Sequence, residues 1–154
     1  MATYSFLEVH AAIDGPGGNI QLGNGAGVAE EGITVERIED ANTMVTGADG
    51  TPMHSLHAAN AGTIRIRFLK TSLTNALLMD MWKFQRVASS RHGNNTVTIR
   101  DTHRGDVVLC RQVAFTGPPS LTWAKVGQML EWTLHAGYVD PTIGAGEAIV
   151  QNAV

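Results

Sequence analysis

The clearest strand in the sequence reads Gly62-Thr63-Ile64-Arg65-Ile66-Arg67-Phe68. Apolar and polar residues alternate along it, which places Ile64, Ile66 and Phe68 on one face and the arginines on the other. A period of two is typical of a strand with one face on a hydrophobic core and one toward solvent. The stretch therefore predicts a fold built mainly from half-buried antiparallel strands.

Similar segments lie on both sides of this strand, separated by turns rich in Gly, Asn and Pro. The first of them, Tyr4–Ile13, is expected to place Leu7, Val9, Ala11 and Ile13 on one face. The other predicted strands are Ile20–Leu22, Ile33–Asp40, Thr96–Arg100, Asp106–Phe115, Leu121–Lys125 and Met129–Ala136.

One helix is predicted, at about residues 72–89, with Ser72 as its N-cap. Its apolar residues recur at spacings of three and four, as in a helix that packs on a sheet. The predicted stripe consists of Leu73, Leu77, Met81, Phe84 and Ala88, widened by Leu78 and Trp82. Together with the strands, the helix predicts a mainly β fold of two packed antiparallel sheets with one flanking helix.

A connection of about twenty residues separates two of the predicted strands, at Ala41–Gly62. It contains turn residues and scattered large apolar side chains without clear periodicity. Loops of this length are unusual in a compact domain and tend to be functional. We expect the connection to carry part of the function.

The 154 residues are expected to form a single domain, 1–154, with a loose C-terminal tail from about residue 141. The net charge of −3 argues against a basic nucleic-acid binder. Residues 1–60 carry eight acids and one base, whereas residues 61–154 carry six acids and ten bases. This segregation either favours head-to-tail contact between copies or reflects two solvated faces. The single cysteine, Cys110, excludes an intrachain disulfide and is expected to be buried.

Residues with catalytic or metal-binding chemistry are few. His54 and His57 have a helical spacing, but Pro52 disfavours a helix there and no third ligand is near. The sequence has no Gly-x-Ser-x-Gly motif to present a nucleophile. We therefore expect no catalytic residue, metal or cofactor, and we interpret Arg65 and Arg67 as an inter-subunit ion-pair surface.

Several motifs, in order along nearly the whole chain, resemble those of the tail tube proteins of contractile-tailed bacteriophages, a family similar to the type VI secretion tube protein. The motifs are Gly25-Ala26-Gly27-Val28-Ala29-Glu30-Glu31-Gly32-Ile33-Thr34-Val35-Glu36, Gly47-Ala48-Asp49-Gly50, His54-Ser55-Leu56-His57-Ala58, Leu69-Lys70-Thr71-Ser72 and Arg104-Gly105-Asp106-Val107.

This resemblance implies two orthogonally packed sheets that close into a small barrel-like sandwich. Six copies would form a ring, with four strands of each in a continuous inner β-barrel, and a long loop would reach the neighbouring ring. That loop maps to about residues 41–61, and its candidate contact residues are Met44, Asp49, Met53, His54 and His57.

The resemblance also implies a channel through which genomic DNA passes without specific binding. Carboxylates in the lumen repel phosphate, and Glu36 and Glu39, on opposite faces of one strand, are the lumen-facing candidates, although Arg37 interrupts a uniformly acidic wall. The candidate inter-subunit residues are Arg65, Arg67, Glu30 and Glu31.

The implied partners are further copies of the chain, sheath, baseplate and tail terminator proteins, and a tape measure protein inside the tube. The implied location is the virion, after assembly in the host cytoplasm and without contact with a membrane. Alternative hypotheses are a tail terminator, initiator or baseplate ring of the same fold, a type VI-like secreted tube protein, and a small β-rich enzyme or ligand-binding module.

Overall fold

The computed structural model describes residues 3–144, except for the side chains of residues 29–31. This part of the chain contains one α-helix, α1 (Leu73–Arg86), two short 3-10 helices (Phe6–Glu8 and Ser89–Arg91) and nine strands. The strands are β1 (Val9–Gly15), β2 (Gly18–Gln21), β3 (Val28–Arg37), β4 (Asn42–Thr46), β5 (Pro52–Leu56), β6 (Gly62–Leu69), β7 (Asn95–Asp101), β8 (Asp106–Phe115) and β9 (Met129–Thr142).

Seven strands form one antiparallel sheet in the order β2-β1-β7-β8-β9-β6-β3, and β4 and β5 form a separate two-stranded sheet. Strand β9 joins the two halves of the large sheet, because residues 129–136 pair with β6 and residues 134–142 pair with β8. Between its pairs with β7, β8 has one extra residue, and Gln112 there adopts a φ of 52°. Such a bulge bends a strand, which helps the sheet fold back over itself.

The hydrophobic core lies between the two halves of the large sheet. One half contributes Ile13, Val97, Cys110 and Val113, and the other contributes Ile64, Ile66, Phe68, Trp132 and Leu134. The structure thereby confirms a mainly β, sandwich-like fold of two antiparallel sheets with one helix. The large sheet does not close into a barrel, because its edge strands β2 and β3 do not pair with each other within residues 3–144.

The helix begins where the sequence predicts but ends at Arg86, and its buried face overlaps the predicted stripe only at Leu78 and Met81. Ser72 is the N-cap, and its hydroxyl accepts a hydrogen bond from the Thr74 amide at 3.2 Å. The buried residues of α1 are Thr74, Asn75, Leu78, Met81 and Gln85, whereas Leu73, Leu77 and Phe84 of the predicted stripe are exposed. The prediction was wrong here because Asn75 and Gln85 are polar residues that hydrogen-bond inside the core.

The first and last strands also differ from the prediction. Ser5 caps the short Phe6–Glu8 helix, so β1 starts only at Val9 and Leu7 is 69% exposed rather than part of a buried face. Strand β9 continues through Pro141 and Thr142, which pair with Val108 and Val107. Residues 141 and 142 of the predicted tail therefore belong to a strand, and residues 145–154 of that prediction lie outside the described residues.

The strand predicted at Leu121–Lys125 is absent. Residues 116–128 have no regular secondary structure, and their large apolar side chains are exposed. Pro118 and Pro119 lack the amide hydrogen that pairing in a sheet requires. Alternation alone was misleading because no core face lies beneath this segment.

Candidate assembly surfaces

The predicted long loop is a β-hairpin, residues 42–56, which we call the hairpin. Strands β4 and β5 pair from Asn42↔Leu56 to Thr46↔Pro52. Nine of their ten residues are exposed, so no burial pattern of period two marks them in the sequence. At the tip, Asp49 Oδ1 accepts the Thr51 amide at 3.0 Å, and hydrogen bonds from Thr51 lower the pKa of this carboxyl.

Hydrogen bonds attach the base of the hairpin to the large sheet. Arg37 donates from Nη2 to the Ala59 carbonyl oxygen at 2.6 Å and from Nη1 to Asn60 Oδ1 at 3.3 Å. The Val139 amide donates to the Asn60 carbonyl oxygen at 2.9 Å. These contacts fix the base where β3 ends and β6 begins, and they leave the rest of the hairpin projecting into solvent.

All five predicted loop residues lie on the hairpin or directly after it. The two histidines hydrogen-bond to the opposite strand, since His54 Nδ1 is 3.2 Å from Asn42 Nδ2 and His57 Nε2 is 2.6 Å from Thr43 Oγ1. Met53 lies opposite Val45, and Met44 lies opposite His54. Sequence reasoning missed Val45 and Leu56, which are exposed apolar residues of the same hairpin.

A group of ion pairs lies on the polar side of β3, β6 and β9, and we call it the ion-pair face. Arg65 Nη1 is 3.2 Å from Glu36 Oε2, and Arg65 Nε is 3.7 Å from Glu131 Oε1. The other oxygen of Glu131 accepts from Arg67 Nε at 3.0 Å. Two arginines thus face two carboxylates within one copy. The sequence analysis did not identify Glu131 as a site residue. Alternation in Met129–Ala136 does place its side chain on the face of the strand away from the buried Leu130 and Trp132.

The two candidate lumen-facing glutamates do not lie on one strand. β3 ends at Arg37, so Glu36 belongs to the ion-pair face whereas Glu39 lies beyond the strand, beside the base of the hairpin. The prediction that they occupy opposite faces of one strand was wrong for this reason. The side chains of Glu30 and Glu31 lie outside the described residues.

Strand β3 forms one edge of the large sheet, and its outer side carries no other strand in residues 3–144. Its pairing with β6 is interrupted between Val28 and Ile33, where Gly32 has a φ of 66°. Bulges are common on edge strands, where they limit unintended pairing. Beyond the bulge, residues 33–37 present a regular edge that another strand can pair with.

Residues 116–128, which we call the apolar segment, lie at the end of β6 opposite to the hairpin. Its exposed apolar side chains are Leu121, Trp123 and Val126. Lys70, just after β6, donates to the Thr122 carbonyl oxygen at 3.1 Å, and its Nζ lies 4.5 Å from the centre of the Trp123 ring. These contacts hold the segment against the end of the sheet while the indole stays 77% exposed.

A cleft of about 350 Å³ opens between β3 and the pair β7–β8. It is lined mainly by apolar residues, together with Asp101 and Asp106. Asp101 Oδ1 accepts hydrogen bonds from the amides of His103 and Arg104, which stabilise the turn after β7.

In the part of the chain that the structure describes, no three His, Cys, Asp or Glu residues are grouped to hold a metal ion. No helix in this part is long and apolar enough to span a membrane.

The hairpin, the ion-pair face and the outer edge of β3, which is unpaired within residues 3–144, are candidate contacts with other proteins. A family model described as the bacteriophage PhiTE tail tube protein matches residues 1–144. The chain belongs to this family of phage tail tube proteins. It is therefore a structural subunit of a tail tube, and its place is the tail of the virion.

Solved structures that contain chains of the same fold come from several other particles. The tail of an empty GTA particle matches with a TM-score of 0.59 at 12% identity, over 91% of this chain and 99% of that chain. A sheath–tube complex of the extracellular contractile injection system PVC matches with a TM-score of 0.52 at 14% identity, over 86% and 88%. The tube-terminating cap of the anti-feeding prophage matches with a TM-score of 0.53 at 12% identity, over 94% and 95%.

At these identities the structural likeness establishes the fold. A search of curated protein sequences found no match. The assignment to the tail tube family therefore depends on the family model, and the structures agree with it in architecture.

Proposed function

We propose that this tail tube protein assembles into hexameric rings that stack into a tube inside a contractile sheath. The observation that carries the proposal is the hairpin, which is anchored at its base and leaves nine of ten strand residues exposed. A monomer gains little from an ordered two-stranded sheet in water, since an isolated hairpin is marginally stable. A role in contact with the next ring accounts for it.

Closure of the ring is supported by the edge strand β3. A heterologous contact closes into a ring when its rotation permits, and pairing between subunits removes exposed sheet edges. Six copies are supported by the GTA tail of the same fold, which was refined with C6 symmetry. Strands β8, β9, β6 and β3 are consecutive in the sheet and supply the four strands for an inner barrel.

The ion-pair face is proposed to line the channel that genomic DNA passes through. Its two arginines are paired with the carboxylates of Glu36 and Glu131, so the surface carries little net charge. Binding to DNA is driven by release of counterions when cationic groups neutralise phosphates. Arginines already held by carboxylates contribute little to that drive, and DNA can pass without being retained.

Further partners follow from the proposed tube. The sheath–tube complex and the anti-feeding prophage baseplate contain chains of this fold, which supports contact with sheath and baseplate proteins. A tail terminator at one end and a tape measure protein inside the tube complete the proposal, with assembly in the host cytoplasm. The subunit has no catalytic role in this scheme, as its membership of a structural family supports.

A second candidate function is a terminator or baseplate ring of the same fold. It is favoured by the likeness to a PVC sheath/tube terminator, with a TM-score of 0.55 at 15% identity. Behaviour of the pure protein separates the two functions. A tube protein polymerises into long tubes, whereas a terminator or baseplate protein stops at a single ring.

The proposal is tested by removing the hairpin. The His57 amide donates to the Ala41 carbonyl oxygen at 2.9 Å, so the ends left by deletion of residues 42–56 are adjacent and two glycines close the gap. We expect the wild type to form tubes in electron micrographs. The deletion variant should keep the wild-type unfolding midpoint but form only rings or monomers. Normal tubes from the variant would show that the hairpin is not the ring-to-ring contact.

A further inference from the structure

We infer that the apolar segment of one copy, centred on Trp123, is the surface that binds the hairpin of a copy in the next ring. This inference rests on the proposed stacking of rings and names the receiving surface, which neither the family match nor the structural likeness identifies.

The two surfaces lie at opposite ends of the same pair of strands. In the pairing of β6 with β9, Gly62 lies opposite Ala136 and Leu69 lies opposite Met129. The hairpin precedes Gly62, and the apolar segment precedes Met129. With eight residues in β6, the ends are about 25 Å apart at ~3.3 Å per residue. A repeating head-to-tail stack requires complementary surfaces at opposite ends of the subunit.

Both surfaces expose large apolar side chains. On the hairpin these are Met44, Val45, Met53 and Leu56, and on the segment they are Leu121, Trp123 and Val126. Val45 and Met53 form a cross-strand pair on one face of the hairpin, whereas Met44 and Leu56 project from the other face. Exposed apolar groups of this kind mark interaction sites. Tryptophan is the residue type most enriched at the energetic centres of interfaces, and methionine adapts its shape to a partner.

The charges of the two surfaces are opposite. Residues 38–61 contain Glu39, Asp40 and Asp49 and no lysine or arginine. Residues 116–128 contain Lys125 and no acid, and Lys70 lies against them. Asp49 is at the hairpin tip, where the hydrogen bonds from Thr51 favour its charged form. Complementary charge guides docking in one orientation and disfavours contact between two hairpins.

The apolar segment is ordered before docking. Lys70 fixes the backbone at Thr122 and packs on the indole of Trp123, while Thr116 Oγ1 donates to the Thr133 carbonyl oxygen at 2.9 Å. Pro118 and Pro119 restrict the backbone between these anchors. A surface already held in shape loses less conformational entropy when a partner binds.

The exposed side of α1 is the alternative binding surface for the hairpin, since it also combines apolar residues with lysine and arginine. It includes Leu73, Leu77 and Phe84, and Val87 lies directly after the helix. The helix packs on the flank of the sandwich, where Gln85 contacts the turn between β1 and β2 at Pro16. A flank is a poor site for axial stacking, and Arg91 already covers the Phe84 ring, with Cζ 4.1 Å from its centre.

The experiment uses Trp123→Ala in the full chain, with Val87→Ala as the matched control, because these two side chains are 77% and 76% exposed. The critical concentration for tube formation is measured by sedimentation and electron microscopy. We expect Trp123→Ala to raise it about 10-fold or more, as loss of a hot-spot residue does, and Val87→Ala to leave it unchanged. Equal values for Trp123→Ala and wild type, or a rise caused only by Val87→Ala, would overturn the inference.

A charge exchange gives an independent result should Trp123→Ala perturb folding. Asp49→Lys and Lys125→Asp are each expected to weaken stacking at low salt, and the double variant is expected to recover it. Additive loss in the double variant contradicts the assigned pairing of surfaces. If the wild type forms no tubes, the proposed function fails. If it forms tubes that none of these variants alters, only the assignment of the apolar segment as the binding surface of the hairpin is wrong.

Discussion

Gln85 and Asn95 exchange two hydrogen bonds inside the core, from Gln85 Nε2 to Asn95 Oδ1 at 2.6 Å and from Asn95 Nδ2 to Gln85 Oε1 at 2.8 Å. The same residues also donate to the carbonyl oxygens of Pro16 and Val113. Both amides are thereby satisfied although almost fully buried. This pair fixes the rotation of α1 against the sheet and leaves the apolar residues of its other side exposed.

The first prediction concerns this pair. Asn95→Ala leaves the buried Gln85 amide without its partner, and we expect the free energy of unfolding to fall by about 1–3 kcal/mol. Urea denaturation measures the change. Asn94→Ala is the control, because the neighbouring Asn94 is exposed, and a change of about 0.5 kcal/mol or less is expected there. Similar losses for both variants would contradict the structural role of the pair.

The second prediction concerns the ion-pair face. Glu131→Gln removes the carboxylate that lies near both Arg65 and Arg67. If this face lines the channel, tubes of the variant should bind short duplex DNA more tightly than wild-type tubes. The slope of log affinity against log salt should steepen by about 1 for each arginine that gains a phosphate contact.

The control for that experiment is Glu39→Gln, which changes the charge equally but lies beside the hairpin base. It should leave DNA binding as in the wild type, measured by co-sedimentation with tubes. Equal binding by Glu131→Gln and wild-type tubes would mean that the arginines are not exposed to DNA or are not restrained by Glu131. The folding stability of either variant should change by about 1 kcal/mol or less, because the groups involved are half-exposed.

The third prediction concerns Cys110. Burial raises the pKa of its thiol from 9.0 to about 11. Because the folded state holds the proton more tightly than the unfolded state, the stability contributed by this group is complete below pH 9 and is lost as pH rises through 11. We expect a thiol reagent at pH 8 to label the denatured chain quickly and the native chain slowly. Rapid native labelling would show that Cys110 is accessible.

Local pattern in the sequence predicts the parts of this fold that face a core. Alternation located β6 and β7, and the serine before a helical repeat located the N-cap of α1. These predictions succeeded because one face of each element is buried, so that burial itself imposes the period.

The same reasoning failed where burial does not set the pattern. The hairpin has no buried face, so its strands read as an irregular loop, while alternation in residues 121–125 has no core beneath it. The face of α1 was misassigned because Asn75 and Gln85 are buried through hydrogen bonds, the former accepting from Trp132 Nε1 at 3.1 Å. The ion pairs of Glu131 could not be predicted, because they depend on the pairing of β9 with β6, which places Glu131 beside Arg65 and Arg67.

Electron cryo-microscopy of the purified wild-type chain at high concentration tests most directly whether copies stack head to tail. We expect hollow tubes in which the hairpin of each subunit lies on residues 116–128 of a subunit in the next ring. A solution of dispersed monomers at high concentration, with the hairpin unoccupied, would contradict the account.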